Sequence, residues 1–123
     1  MLLSYKERDL KMFKNICTAF NSITQWLLIR VDRGKNPNCR NYNTACKISD
    51  HYIQAFTLPI GEKDISEELS EIGEVGTAIL NRLFEIPGIK EIFLKEYLVT
   101  IVKDPNYSWK EIQPQILDAI IPN

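Results

Sequence analysis

The chain has 123 residues, a formal charge of −1, 45% apolar residues and 25% charged ones. That leaves room for one domain of ordinary globular composition, with no positive excess to hold nucleic acid non-specifically. The longest uninterrupted apolar run, Trp26-Leu27-Leu28-Ile29, falls far short of the ~20 residues a membrane-spanning helix needs, so no membrane partner is expected.

The first element is a helix over Lys6 to Phe20. Leu10, Phe13, Ile16, Cys17 and Phe20 recur there at steps of three and four, the helical stripe. Asn21-Ser22 breaks it, which sets residues 1–24 apart as an N-terminal helical extension of a domain spanning 25–123. From Thr24 the composition turns β-branched and aromatic, and Trp26 to Val31 reads as a buried strand. Asp32 to Asn38 is a loop in which Gly34, Pro37 and two Asn residues suit turn backbone.

A second strand is expected from Asn41 to Ile48, and a third extended piece from Tyr52 to Leu58. Asp64 or Ser66 is placed to cap a short helix through Leu69 and Ile72. The main helix follows Gly73 and runs Val75 to Phe84, burying Val75, Ile79, Leu80, Leu83 and Phe84. Ile86-Pro87-Gly88 ends it.

Ile89 to Leu94 and Leu98 to Lys103 alternate as strands around a tight turn. Ser108, three residues before Glu111, has capping-box spacing. It opens a last helix from Trp109 to Ile121 that buries Ile112, Ile116, Leu117 and Ile120. Hairpins separated by helices, rather than strict β-α-β alternation, imply an α+β, two-layer fold. It has a mainly antiparallel sheet, helices on one face, and the extra N-terminal helix.

Two stretches resemble a known family. One is WLLIRVDRGKNPNCRNY, which ends at Tyr42 and centres on Asn36-Pro37-Asn38. The other runs from Ala78 to Ile120, where AILNRLFEIPGIKEIFLKEYLVTIVKD leads into YSWKEIQPQILDAI. Together they are similar to the N-terminal domain of Nfu/NifU-type iron–sulfur scaffold proteins. That family has a Pro-Asn-Pro-Asn loop between strands, a helix ending Leu-Phe-x-Ile-x-Gly-Val, a hairpin, and a final helix opened by Trp. Here Leu83 to Ile89 and Trp109 to Ile120 match the later signatures.

The resemblance implies a ββαββα fold and a connection with iron–sulfur cluster assembly. Departures are plain: Gly34-Lys35 replaces Thr-Pro, and Arg40-Asn41-Tyr42 replaces Leu-Lys-Phe. Larger relatives ligate the cluster through a Cys-x-x-Cys pair in a second domain. The sequence contains no such pair, so the resemblance implies a stand-alone domain without cluster-holding activity of its own.

Three cysteines without framework spacing read as reduced thiols in a cytoplasmic protein. Cys17 and Cys46 suit a core. Cys39 and Cys46 lie seven residues apart, ~23 Å along an extended chain, so a shared metal site would need a tight turn. Cys39 sits beside Arg40, whose charge favours a thiolate, and is the candidate metal ligand. His51 between Asp50 and Tyr52 reads as a surface histidine, because strand neighbours point to opposite faces. The run Glu67, Glu68, Glu71 and Glu74 reads as solvated surface.

Trp26 and Trp109 suit core and helix-start positions. The candidate partner-binding loop comprises Arg33, Lys35, Asn36, Pro37, Asn38 and Arg40, since binding residues concentrate on loops held by a rigid scaffold. No nucleophile motif or Gly-rich phosphate loop is present, and no enzyme is expected. The reading is a protein-binding accessory module related to iron–sulfur cluster assembly, its partner a scaffold or target protein, with no cofactor expected in the isolated chain. Two alternatives stay open. One is direct binding of iron or an iron–sulfur cluster through Cys39 in a dimer; the other is an interaction module with no iron–sulfur role.

Overall fold

The alternation of side chains along the central strands decides which face of the sheet is dry. In the computed structural model, which describes residues 30–121, the strand Leu98–Lys103 buries every second residue. Five strands form one sheet: β1 Arg30–Arg33, β2 Cys39–Asn43, β3 Ile53–Thr57, β4 Ile89–Lys95 and β5 Leu98–Lys103. Their spatial order is β1-β2-β5-β4-β3, and all four pairings are antiparallel. Three helices complete the described chain: α1 Ser66–Ile72, α2 Glu74–Leu83 and α3 Trp109–Ile120. The fold is thus α+β as expected. The extended piece after β2 is a full sheet member at one edge, and two helices occupy the stretch between β3 and β4.

Pairing Tyr42 with Val99, Arg40 with Ile101, Leu94 with Val99 and Ile92 with Ile101 sets these residues on one face. Tyr42, Ile92, Leu94, Val99 and Ile101 are fully buried there. They join Ile72 of α1, Ile79, Leu80 and Leu83 of α2, and Ile112 and Ile116 of α3 in a single core. Each such aliphatic side chain contributes about 1.5–3 kcal/mol on leaving water. The opposite row, Cys39-Val102-Glu91 and its neighbours, is half-buried. Helices therefore cover one side of the sheet.

The buried face departs from simple periodicity at several positions for identifiable reasons. Strict alternation would put Ile89 opposite Ile92, yet both are buried. A register irregularity between Ile89 and Glu91 re-phases the strand, as an inserted bulge residue does. Val75 is 53% exposed, and Gly76 takes its place on the buried face. The cause is the start of α2: Gly73, at φ +95°, ends α1 and begins α2, which fixes the helical phase. Phe84 lies just beyond α2, edge-on to Phe56. On α3, Ala119 joins the buried face, while Leu117 is only partly covered.

Ser108 caps α3 as the spacing predicts. Its hydroxyl accepts from the Glu111 N–H at 3.2 Å, and Glu111 returns a carboxylate oxygen to the Ser108 N–H at 3.1 Å. Two otherwise orphaned donors are satisfied reciprocally. Arg82 Nε then donates to the Ala119 carbonyl at 2.7 Å, tying α2 to the far end of α3. The helix expected over Lys6 to Phe20, the extension 1–24 and the Trp26–Ile29 part of the first strand lie outside the described residues.

Candidate functional site

The β1–β2 hairpin is closed by a turn built from its own side chains. Asn36 Oδ1 accepts from the Asn38 N–H at 2.8 Å, and the Asn36 carbonyl accepts from the Cys39 N–H at 3.1 Å. Pro37 stands at the second turn position, where its fixed φ is preorganised. Asn-Pro-Asn is therefore first a shape: the Asx bond and the four-residue turn enclose the same peptide units.

This turn does not hang free. The Trp109 indole Nε1–H donates to the Pro37 carbonyl at 2.7 Å. The Lys103 N–H donates to the Asn38 carbonyl at 2.8 Å, and Lys103 Nζ to Asn38 Oδ1 at 3.0 Å. Trp109 occupies the first position of α3 and Lys103 the last of β5. The hairpin tip is thus held by the ends of two rigid elements, more than sixty positions away in sequence.

Two cations converge on the indole. The Arg40 guanidinium carbon lies 4.7 Å from the ring centroid, and Lys103 Nζ lies 5.8 Å from it, within cation–π range. Arg40 Nη1 also donates to Gln113 Oε1 at 2.6 Å, an oxygen that accepts from the Tyr42 hydroxyl at 3.0 Å. Burial pushes the Tyr42 phenol well above its ordinary range, with Arg40 pulling partly the other way. Lys103 is only 7% exposed, and its ammonium is met by neutral oxygens, Asn38 Oδ1 and the Asp104 carbonyl.

The expected loop residues differ in how far they reach solvent. Arg33 and Arg40 are opposite one another in register and share the helix side with Trp109. Arg33 and Lys35 are exposed, while Asn38 and Arg40 are half-buried. Cys39 is the first residue of β2 rather than a loop residue. Alternation turns its thiol to the other face, away from the Arg40 guanidinium. Desolvation, and secondarily the negative charge of Glu91, push the thiol up instead of down, so the expected thiolate-favouring effect of Arg40 does not operate.

The second described cysteine, Cys46, is buried, whereas Cys39 is free. No group of three or more His, Cys, Asp or Glu is assembled for a metal among the described residues. His51 does not meet Asp50. Its Nδ1 lies 2.8 Å from the Ile53 carbonyl oxygen, while the Asp50 carboxylate packs over Gly73. Glu71 accepts from Gln54 Nε2 at 2.6 Å.

Three residues that brace the hairpin escaped sequence reasoning as site members: Lys103, Trp109 and Gln113. Trp109 does start a helix, as expected, but its ring also carries Arg40 and Lys103. The resemblance held the usable signal, because its Asn-Pro-Asn and helix-opening Trp signatures are the two groups that bond to each other.

The class this geometry defines is a two-layer α+β domain with a basic hairpin loop braced on the start of its last helix. The chain belongs to the family of Nfu/NifU scaffold protein N-terminal domains, whose profile matches residues 29–122. Membership relates it to iron–sulfur cluster assembly. A crystal structure of a Staphylococcus aureus protein is similar in fold, with TM-score 0.56 at 16% identity, covering 75% of this chain and 96% of that one. The solution structure of a NifU-like protein from Saccharomyces cerevisiae gives TM-score 0.50 at 18% identity, covering 76% and 74%. A search of curated proteins returned no match. No helix among the described residues is long and apolar enough to cross a membrane.

Proposed function

We propose that this chain is a non-enzymatic accessory module of iron–sulfur cluster assembly that binds a scaffold or target protein through its β1–β2 hairpin. The observation that carries the reading is the bracing of the hairpin tip by Trp109 and Lys103 in a chain of this family. A braced loop has little conformational freedom left to lose on binding, and that loss is a principal cost of forming an interface. Gly34, Lys35 and Pro37 are exposed on it, while the groups beneath hold its shape.

The test is capture of the host's purified scaffold and cluster-carrier proteins by the immobilised chain. The wild type is expected to retain at least one of them, and a variant with Asn36, Pro37 and Asn38 replaced by Ser is expected to lose it. Retention of none, or equal retention by both, would sink the reading. Direct cluster binding through Cys39 makes a separate prediction: a visible chromophore after anaerobic reconstitution that C39S abolishes.

A further inference from the structure

The hairpin carries an electrostatic arrangement that no ion pair among the described residues compensates. Arg33 and Arg40 stand directly opposite on the same face of neighbouring strands, a placement of like charges that destabilises a sheet. Lys103 shares the indole with Arg40, and Lys35 projects from the turn between the strands. Among the described residues, none of these four cations has a carboxylate within 4.0 Å; the ion pairs present are Arg30–Asp32 and Lys47–Glu96.

The carboxylates nearest in sequence are each committed elsewhere. Asp32 accepts from Arg30 Nη2 at 3.3 Å and from Asn43 Nδ2 at 2.9 Å. Its place in the register, opposite Asn41, sends it to the other face of the sheet. Asp104 Oδ1 accepts from the Asn106 N–H at 2.8 Å. Glu111 is occupied by the capping box at Ser108. The positive end of the α3 macrodipole, at Trp109, adds to the same field. The chain as a whole has a formal charge of −1, so this potential is local, not a general basicity.

From this arrangement we infer that the face formed by Arg33, Lys35, Arg40 and the Trp109 edge docks a carboxylate-rich segment of a partner protein. The inference rests on the protein-binding reading above and names the chemistry of the partner. Arg40 already covers the indole face, so the ring is not open for a nucleobase to stack upon. That favours carboxylates over nucleic acid at this face. Exposed Arg33 and Lys35 supply the free donors. Arg40 and Lys103 raise the potential from beneath, where solvent screens less.

The test uses fluorescence anisotropy of a labelled peptide of alternating Glu and Ala, titrated with the full chain at low and high salt. A Lys-Ala peptide and a single-stranded oligonucleotide of matched charge serve as controls. Saturable, salt-sensitive binding of the Glu-Ala peptide is expected. Each of R33Q and K35Q should weaken it about 2- to 5-fold, the range of one exposed ion pair, and R33E with K35E should abolish it. Both side chains are exposed without hydrogen bonds among the described residues, so these variants keep the fold, which circular dichroism verifies.

No binding, binding unmoved by the four substitutions, or equal affinity for the oligonucleotide would overturn the inference. Retention of a scaffold protein by a chain that ignores the acidic peptide overturns this inference and leaves the proposed function standing. Peptide binding without retention of any assembly protein does the reverse.

Discussion

Replacing Trp109 by Phe removes one bond, the indole N–H to the Pro37 carbonyl at 2.7 Å, and keeps an aromatic ring near Arg40. A neutral hydrogen bond contributes about 0.5–1.5 kcal/mol net. The Pro37 carbonyl is at an exposed residue and water can replace the donor, which places the loss near about 1 kcal/mol. Trp109→Ala removes more. The Arg40 contact at 4.7 Å adds about 0.5–1 kcal/mol, and the half-buried indole area adds roughly another 1–2 kcal/mol, for a total of about 3 kcal/mol. Urea unfolding followed by circular dichroism measures both, provided the denaturant slope is unchanged. Amide exchange at Cys39, whose N–H closes the turn on Asn36, should accelerate in both variants. Phe and Ala variants of equal stability, or a Cys39 amide protected as in the wild type, would refute the idea that Trp109 braces the loop.

Ser108→Ala should cost about 1 kcal/mol by uncapping α3, while Glu111→Gln, which can still close the capping box, should cost less; thermal melts separate the two. Gly76→Ala should cost about 2–3 kcal/mol, because the added Cβ would fall 2.7 Å from the Ile48 carbonyl oxygen and against the Ile72 side chain; a stability equal to wild type would mean α2 packs less closely than this. Cys39 alkylation by iodoacetamide should rise with pH about a midpoint above that of a free, solvated thiol, and Glu91→Gln should lower that midpoint; a midpoint below that of a free thiol would contradict the stated causes. Tyr42 has its folded-state value raised above the 10.0 of an unperturbed phenol, so its share of stability is complete below pH 10.0 and declines as pH rises beyond it. Tyr42→Phe should remove that part of the alkaline decline while costing about 1 kcal/mol at neutral pH through the lost Gln113 bond.

How much of this was legible in advance depended on the range over which each cause acts. The bounds of β5 and the capping box of α3 follow from neighbours within a few residues, and both matched. The burial of both Ile89 and Ile92 could not be read from alternation, which assumes an unbroken register; one irregular pairing with β5 re-phases the strand. The error at Val75 arose from the helical phase, set by Gly73 and the Asp50 carboxylate lying over it. In the site, the Asn-Pro-Asn turn was readable from local chemistry. Its anchors were not, because Lys103 and Trp109 reach it only after β5 pairs with β2 and α3 returns across the sheet. The Cys39–Arg40 reading failed for the reason already applied to Asp50 and His51: adjacent strand residues part to opposite faces.

The same geometry sets what binding through the proposed hairpin surface would cost. Its polar atoms are spent inward: Asn36 on Asn38, Asn38 on Lys103, Gln113 on Arg40 and Tyr42, Trp109 on Pro37. Among the described residues no buried side-chain nitrogen or oxygen lacks a partner. What is exposed is charge without an ion-pair partner among the described residues, on Arg33 and Lys35. A five-residue connection, Gly34 to Asn38, would ordinarily forfeit several kcal/mol of backbone freedom when a partner fixes it. Here folding has already imposed most of that order through bonds to β5 and α3. Loosening the brace should therefore weaken partner binding even where no contact residue has changed. Trp109→Phe combined with intact Arg33 and Lys35 isolates that effect. Acidic-peptide affinity is expected to fall about 2- to 5-fold as loop ordering is transferred to the binding step. Unchanged affinity, alongside a Cys39 amide that exchanges faster, would show that the order of the loop does not matter to what it holds.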